Sequence, residues 1–273
     1  MSVGKITRKA LPYSNVVPAG TATNQIITGK TLNNLQLELG GTAFTKAMIS
    51  LFELKANAKV IYTGTGAQID KINAYRGIAS SANFLDIAFE DLTGLDQYDR
   101  MVGSLDTTAG IVSLTSEVTI AGATAPTLAA LLYEAAPQSA SQATQPFAGL
   151  IAKTLRYPFS IANGGQLPMT FPFGRTGAII KRVHVFNTNM TGATVKEDSV
   201  VIHETTAAEN SYEQSRHGRV PQAGMYTIDF LQDGSVRNAF DTRASNSVEW
   251  LFDFSAADNG FVLIEYLDVL GNL

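Results

Sequence analysis

Three histidines, His184, His203 and His217, and no cysteine occur in 273 residues. That inventory leaves no disulfide framework, no thiolate metal site and no cysteine nucleophile. A serine hydrolase needs a histidine held between a nucleophile and a carboxylate in a cleft. His184 lies in the apolar, alternating stretch Ile179–Phe186, opposite in parity to Val183 and Val185, and is expected to face solvent or a subunit contact. His203-Glu204 lacks a third ligand at helical spacing, which argues against zinc. His217 sits in SRHGR, a loop-like basic spot suited to solvent or to an acidic neighbour. Glu90-Asp91 and Glu197-Asp198 are adjacent carboxylates, and neighbours on a strand point to opposite faces, so neither pair is an acid/base dyad for glycoside chemistry. DLTGLDQYD brings Asp91, Asp96 and Asp99 into one loop, a candidate for a structural Ca²⁺ without EF-hand spacing. Gly64-Thr65-Gly66 resembles a phosphate loop but lacks a third glycine and the GK[ST] lysine, and reads as a turn into a helix. No catalytic constellation and no organic cofactor site emerges.

The elements that would carry these groups are mostly strands. Charged residues make up only 16% against 45% hydrophobic, and Gly, Thr, Ser and aromatics fill the difference. Such a mixture suits short strands and turns, and it supplies enough apolar material to exclude disorder. Strand patterns fall at 24–29, 31–39, 47–54, 59–62, 84–89, 179–186, 199–203, 226–231, 248–254 and 261–270. Gln68–Tyr75 and Ala207–Arg216 are each expected to form one short helix, while Pro126–Ala136 is locally ambiguous between helix and strand. APQSASQATQ, residues 136–145, reads as a linker near the middle of the chain.

Charge is unevenly spread. Lys5, Arg8, Lys9 and Lys30 precede the first acid, Glu38, whereas five acids and no base follow Arg243. The basic start is expected to be either a partner-binding arm or a loose terminus. It lacks the apolar core of a secretory signal, and no apolar run approaches the length of a membrane-spanning helix. The net charge of −4 argues against sequence-specific nucleic-acid binding.

The second half of the sequence replays the first. Gly29-Lys30-Thr31 returns as Gly174-Arg175-Thr176, Asn73-Ala74-Tyr75 as Asn210-Ser211-Tyr212, and Ile87 with Phe89 as Ile228 with Phe230. Leu105-Asp106-Thr107 returns as Phe240-Asp241-Thr242, and Leu131–Tyr133 answers to Ile264–Tyr266, which favours a strand at 126–136. The collinear order carries the argument. Each unit would hold about eight antiparallel strands in two facing sheets, a jelly roll. The expected organisation is an all-β double jelly roll: an arm at 1–14, a first unit at 15–136, a linker at 137–156 and a second unit at 157–273, with short helices in loops.

In MYTIDFLQDG, AFDTR and VLIEYLDVL, and in NVVPAG before the first strand, the chain resembles the double jelly-roll major capsid proteins of tailless icosahedral phages with an internal membrane, of the corticovirus type. The resemblance implies a non-enzymatic structural protein. Three copies would form a pseudo-hexagonal homotrimeric capsomer, and capsomers would tile a virion shell around lipid, assembled in the host bacterial cytoplasm. Its implied partners are further copies of itself, minor capsid and penton proteins, and membrane lipids. Lys5, Arg8 and Lys9 on the arm are the candidates for a contact with lipid head groups or with a neighbouring subunit. The alternative is a carbohydrate-binding or glycan-processing protein with tandem jelly rolls. It is disfavoured by a single tryptophan, Trp250, which the pattern places in the core.

Overall fold

The computed structural model describes residues 5–137, 147, 149–173, 177–269 and 272. The first unit comprises β1 (Ile6–Lys9), β2 (Ala19–Ile26), β3 (Thr31–Ala43), β4 (Ile49–Ala56), β5 (Lys59–Gly64), α1 (Gly66–Tyr75), β6 (Phe84–Ala88), α2 (Gln97–Met101), β7 (Leu105–Asp106), β8 (Leu114–Ala121) and β9 (Thr124–Ala135). The second comprises β10 (Ile151–Ile161), β11 (Gly165–Met169), β12 (Ile179–Phe186), β13 (Met190–Glu197), β14 (Val200–Thr206), α3 (Ala207–Arg216), β15 (Tyr226–Asp229), β16 (Phe240–Asp241), β17 (Val248–Phe254) and β18 (Asp258–Asp268).

Each unit is a sandwich of two sheets, as the repeat requires. In the first, β1-β9-β3-β6, with β7 also on β3, faces β2-β8-β4-β5. In the second, β15-β12-β18-β10, with β16 on β12, faces β11-β17-β13-β14. Inward residues alternate along the strands. Leu35, Leu37, Phe52, Leu54, Val118 and Leu132 fill the first core, and Val183, Val185, Val195, Phe252, Val262 and Ile264 the second. The units are not separate bodies. β5 and β10 pair in parallel through Tyr62 and Thr154, so two half-sandwiches fuse into one nine-stranded sheet.

The duplication reaches single hydrogen bonds. Thr65 and Thr206, 141 residues apart, both start a helix with a reciprocal capping box, closed by Gln68 and Glu209. Asn57-Ala58 and Asp198-Ser199, at the same offset, take positive φ in the β4–β5 and β13–β14 hairpins. The Asn57 and Asp198 side chains then accept from two backbone N–H groups just ahead of β8 and β17. A one-residue bulge interrupts β3 between Leu32 and Asn34, and β12 between Ile180 and Arg182. Thr107 and Thr242 each return a hydroxyl to the strand start, at Lys30 and Ala178.

These bonds also correct the register read from sequence. The counterpart of Gly29 is Gly177, because β7 and β16 seat against Thr31 and Ile179 in the same way; Gly174-Arg175-Thr176 lies outside the described residues. Asn73 answers to Gln214, one helical turn beyond Asn210, since each caps a carbonyl of the neighbouring strand, Asp86 or Thr227. Tyr133 answers to Glu265, because each lies opposite the residue after its bulge. Ile87 with Phe89 against Ile228 with Phe230 holds at the structural offset of 141.

Two segment boundaries differ from expectation. Residues 5–14 are no free arm: β1 pairs with β9, and Ser14 bridges to Thr23. β1 occupies in the first unit the place that β10 fills in the second, each flanking the closing strand. Likewise 151–156 is not linker but the start of β10, fully paired with β18; most of 138–148 lies outside the described residues.

Candidate functional site: the ionic junction between the units

The charges that a charge-poor chain does spend are concentrated where the units meet. Arg182, fully buried on β12, donates from Nε to Asp229 at 3.0 Å and from Nη1 to Asp91 at 2.7 Å and Glu265 at 3.3 Å. Arg76, just past α1, reaches Glu265 at 2.5 Å. The Tyr75 hydroxyl donates to Asp229 at 2.9 Å, and Arg219 comes within 3.2 Å of the same carboxylate. Lys181, the bulge residue, lies 3.7 Å from Asp91. Tyr75, Arg76 and Asp91 belong to the first unit and the rest to the second, so the cluster ties the two sandwiches together.

Electrostatics fixes the charge states. Burial pushes the Asp91 carboxyl up, but Arg182, Lys181 and Arg76 outweigh it and hold it well below the usual carboxylate range. Glu265 is held low in the same way, burial being overcome by Arg76, His184 and Arg182. Arg182 is kept charged by Asp229, Asp91 and Glu265 against its own burial. Lys181, with the longest pairing, is pulled down by burial. Buried charges of this kind cost more to desolvate than they return unless each is paired.

His184 is not at the surface. It is fully buried, its ring 5.9 Å from Tyr75 in edge-to-face contact. Nδ1 lies 2.9 Å from the Thr227 hydroxyl and Nε2 3.1 Å from Glu265. Burial lowers its pKa, so the neutral ring donates to Glu265 and accepts from Thr227. Parity failed here because β12 is covered on both faces, by the second core and by α1. His203 is half-buried beside Thr205 and the Tyr226 hydroxyl, with burial lowering its pKa to about 4. His217 caps α3 against Glu213.

The proposed cation loop is dispersed. Asp91 is consumed by Arg182, Asp96 caps α2 through the Asp99 N–H, and Asp99 accepts from the Val236 N–H. Among the described residues, no group of three or more histidines or carboxylates is placed to hold a metal ion. Glu197 bonds the Ser245 hydroxyl and Asp198 closes its hairpin, so these carboxylates are also structural. On β1, Arg8 pairs with the buried Glu134, while Lys5 and Lys9 stay exposed on the outer face, Lys5 above the Tyr133 ring. Trp250 is buried against Phe171, Phe230 and Phe240, and offers no sugar platform.

Two family models cover the two units. The viral coat protein P2 N-terminal domain matches residues 7–134 and the P2 C-terminal domain residues 151–270. The chain belongs to the viral coat protein P2 family. Its role is therefore that of a non-enzymatic capsid subunit, and the expected corticovirus-type resemblance and double jelly roll both hold. Among solved structures, the major capsid protein P2 of bacteriophage PM2 superposes with a TM-score of 0.86 at 14% identity, covering 98% of this chain and 100% of that one. A chain of Sulfolobus Turreted Icosahedral Virus gives 0.70 at 15%, covering 98% and 92%. The PBCV-1 virus capsid gives 0.64 at 11%, covering 96% and 93%. Among curated proteins none matches the sequence. The P2 boundaries at 7 and 151 coincide with β1 and β10, the strands that the sequence reading assigned to an arm and a linker.

Proposed function

We propose that this P2-family subunit is the major capsid protein of a tailless icosahedral virus, and that it assembles as a pseudo-hexagonal homotrimer tiling a shell around an internal membrane. The observation carrying this reading is the repetition of one jelly-roll strand order, with its caps and hairpins, in two units joined through β5 and β10. Two equivalent units per chain place six around a threefold axis, and closed cyclic symmetry is the ordinary state of such assemblies. Penton and minor capsid proteins, further capsomers and membrane lipid are the partners of that shell, built in the host bacterial cytoplasm. Light scattering on the purified chain is expected to give three times 29.2 kDa, with threefold particles in negative stain. A stable monomer at physiological salt would remove the homotrimer.

A further inference from the structure

Each unit has four sheet edges. β6 and β2, and their counterparts β15 and β11, end their sheets in both units, β2 bridged at Thr23 by Ser14 and β6 and β15 bonded by helix side chains. The other two kinds differ. β5 and β10 are joined within the chain, whereas their counterparts β14 and β1, at opposite ends of the molecule, have no strand on their outer edge among the described residues.

The open surfaces carry the chemistry of an unmade junction. Ile61 at the joined edge is fully buried, while its counterpart Ile202 on β14 is 38% exposed beside exposed Val200 and Val201. Leu263, Glu265 and Met225 are buried beneath α1, but the equivalent Leu131, Tyr133 and Phe84 lie on an uncovered face. α3, the counterpart of α1, packs on β13, β14 and β15 of its own unit among the described residues and leaves Tyr212 69% exposed. Charge is complementary: Glu204, Glu209 and Glu213 flank the β14–α3 side, and Lys5 and Lys9 stand on the outer face of β1.

We propose that β14 and α3 of one copy dock on β1 and the outer β9-β3-β6 face of a second copy, in the register of the internal junction. Tyr62 lies opposite Thr154 inside the chain. The hairpin bulges repeat between Leu54 and Lys55 and between Val195 and Lys196, which makes His203 the counterpart of Tyr62. The pairings of β1 and β10 with their closing strands make Thr7 the counterpart of Thr154. His203 of one copy therefore faces Thr7 of the next. A parallel edge pairing adds main-chain hydrogen bonds and removes two exposed edges that invite aggregation. The contact differs in polarity from the internal one. Ile72, Tyr75 and Arg76 of α1 are replaced on α3 by Glu213, Arg216 and His217. The seam between copies is consequently wetter and more sensitive to salt than the seam within a chain.

The assignment rests on the homotrimer reading, and the test separates the two. The chain contains no cysteine, so Thr7→Cys and His203→Cys can be introduced alone or together. Neighbouring strand residues sit within disulfide range. Under mild oxidation the double variant is expected to run as a covalent trimer on a non-reducing gel, and each single variant as a monomer. A light-scattering trimer whose double variant forms no cross-link overturns the edge assignment alone. A light-scattering monomer overturns the trimer as well. Efficient dimer formation by a single variant would show a two-fold contact and overturn the proposal. As a second measurement that spares the strands, Lys9→Glu is expected to weaken trimer formation about tenfold at low salt, and Glu213→Lys in the same chain to restore it. Lack of both effects counts against the surface.

Discussion

The closing strand of the second unit, β18, is buried on both faces, whereas the outer face of its counterpart β9 is open. The two strands hold the same place in the same fold. Only in the second unit does a helix from elsewhere, α1, lie across it. That difference sets the chemistry. Where α1 covers the sheet, Asn34 of the first unit becomes Arg182, Gln36 becomes His184, and Tyr133 becomes Glu265, and a closed ionic cluster forms. The cores diverge as well. Ser116 in the first, its hydroxyl against Tyr13, stands where the second has Trp250. The first core supplies its ring, Tyr13, from the segment before β2, and the second supplies Trp250 from β17 itself. One template therefore tolerates two cores and two surfaces, provided that caps, hairpins and bulges stay fixed.

The largest expected effect tests the asymmetry directly. Arg182→Met leaves Asp91, Asp229 and Glu265 without their shared partner and is expected to cost about 3–5 kcal/mol in denaturant unfolding. Asn34→Leu at the equivalent place loses one half-buried bond, to Asp86, and is expected to cost about 1 kcal/mol. Equal costs would show that the junction is no more demanding than an ordinary sheet face.

Acid sharpens the same contrast, because all three histidines sit in the second unit. His184 and His203 have lowered pKa values in the folded chain, so the unfolded chain takes up the proton first. Stability is expected to be whole above about pH 6.5 and to fall as the pH drops toward 4. Asp91 and Glu265, held low when folded, add a further loss below about pH 4. His203→Gln is expected to lower the proton uptake on unfolding at pH 5 by about one. An unchanged pH slope would assign the acid response elsewhere.

The smallest effect compares the two capping boxes. Thr65→Ala and Thr206→Ala are each expected to cost about 1 kcal/mol. Hydrogen exchange is expected to quicken locally in α3, which is exposed, and far less in α1, which is clamped between units. Equal fraying of both helices would mean that α1 draws little support from the junction.

The sequence disclosed what is local. The polar segments Gln68–Tyr75 and Ala207–Arg216 read as helices, alternation gave β6 and β17, and the order of short matches exposed the duplication. It hid what depends on a second layer. β8, β10, β11 and β13 carry Thr, Gly, Ser or Pro amid their apolar positions and escaped the strand pattern. The bulge residues Asn33 and Lys181, together with loops of unequal length, slid the apparent matches by one to four residues. Arg182, Glu265 and His184 were unreadable as a site because they converge from different strands, and parity arguments assume that one sheet face meets water. A charge inside the apolar run IIKRVHVF was the available signal.

The parallel pairing of β5 with β10 also sets a timetable for synthesis. β1 cannot pair until β9 appears, at which point every strand of the first sandwich has been made. Its β5 edge still waits for β10, which is held in place only once β18, the last long strand, has left the ribosome. About 130 residues separate the two events, some seven to thirty seconds at ordinary elongation rates. For that interval every nascent chain displays an open strand to its polysomal neighbours. The short length of β5 and the charge of Lys59 at its start blunt the edge during the wait.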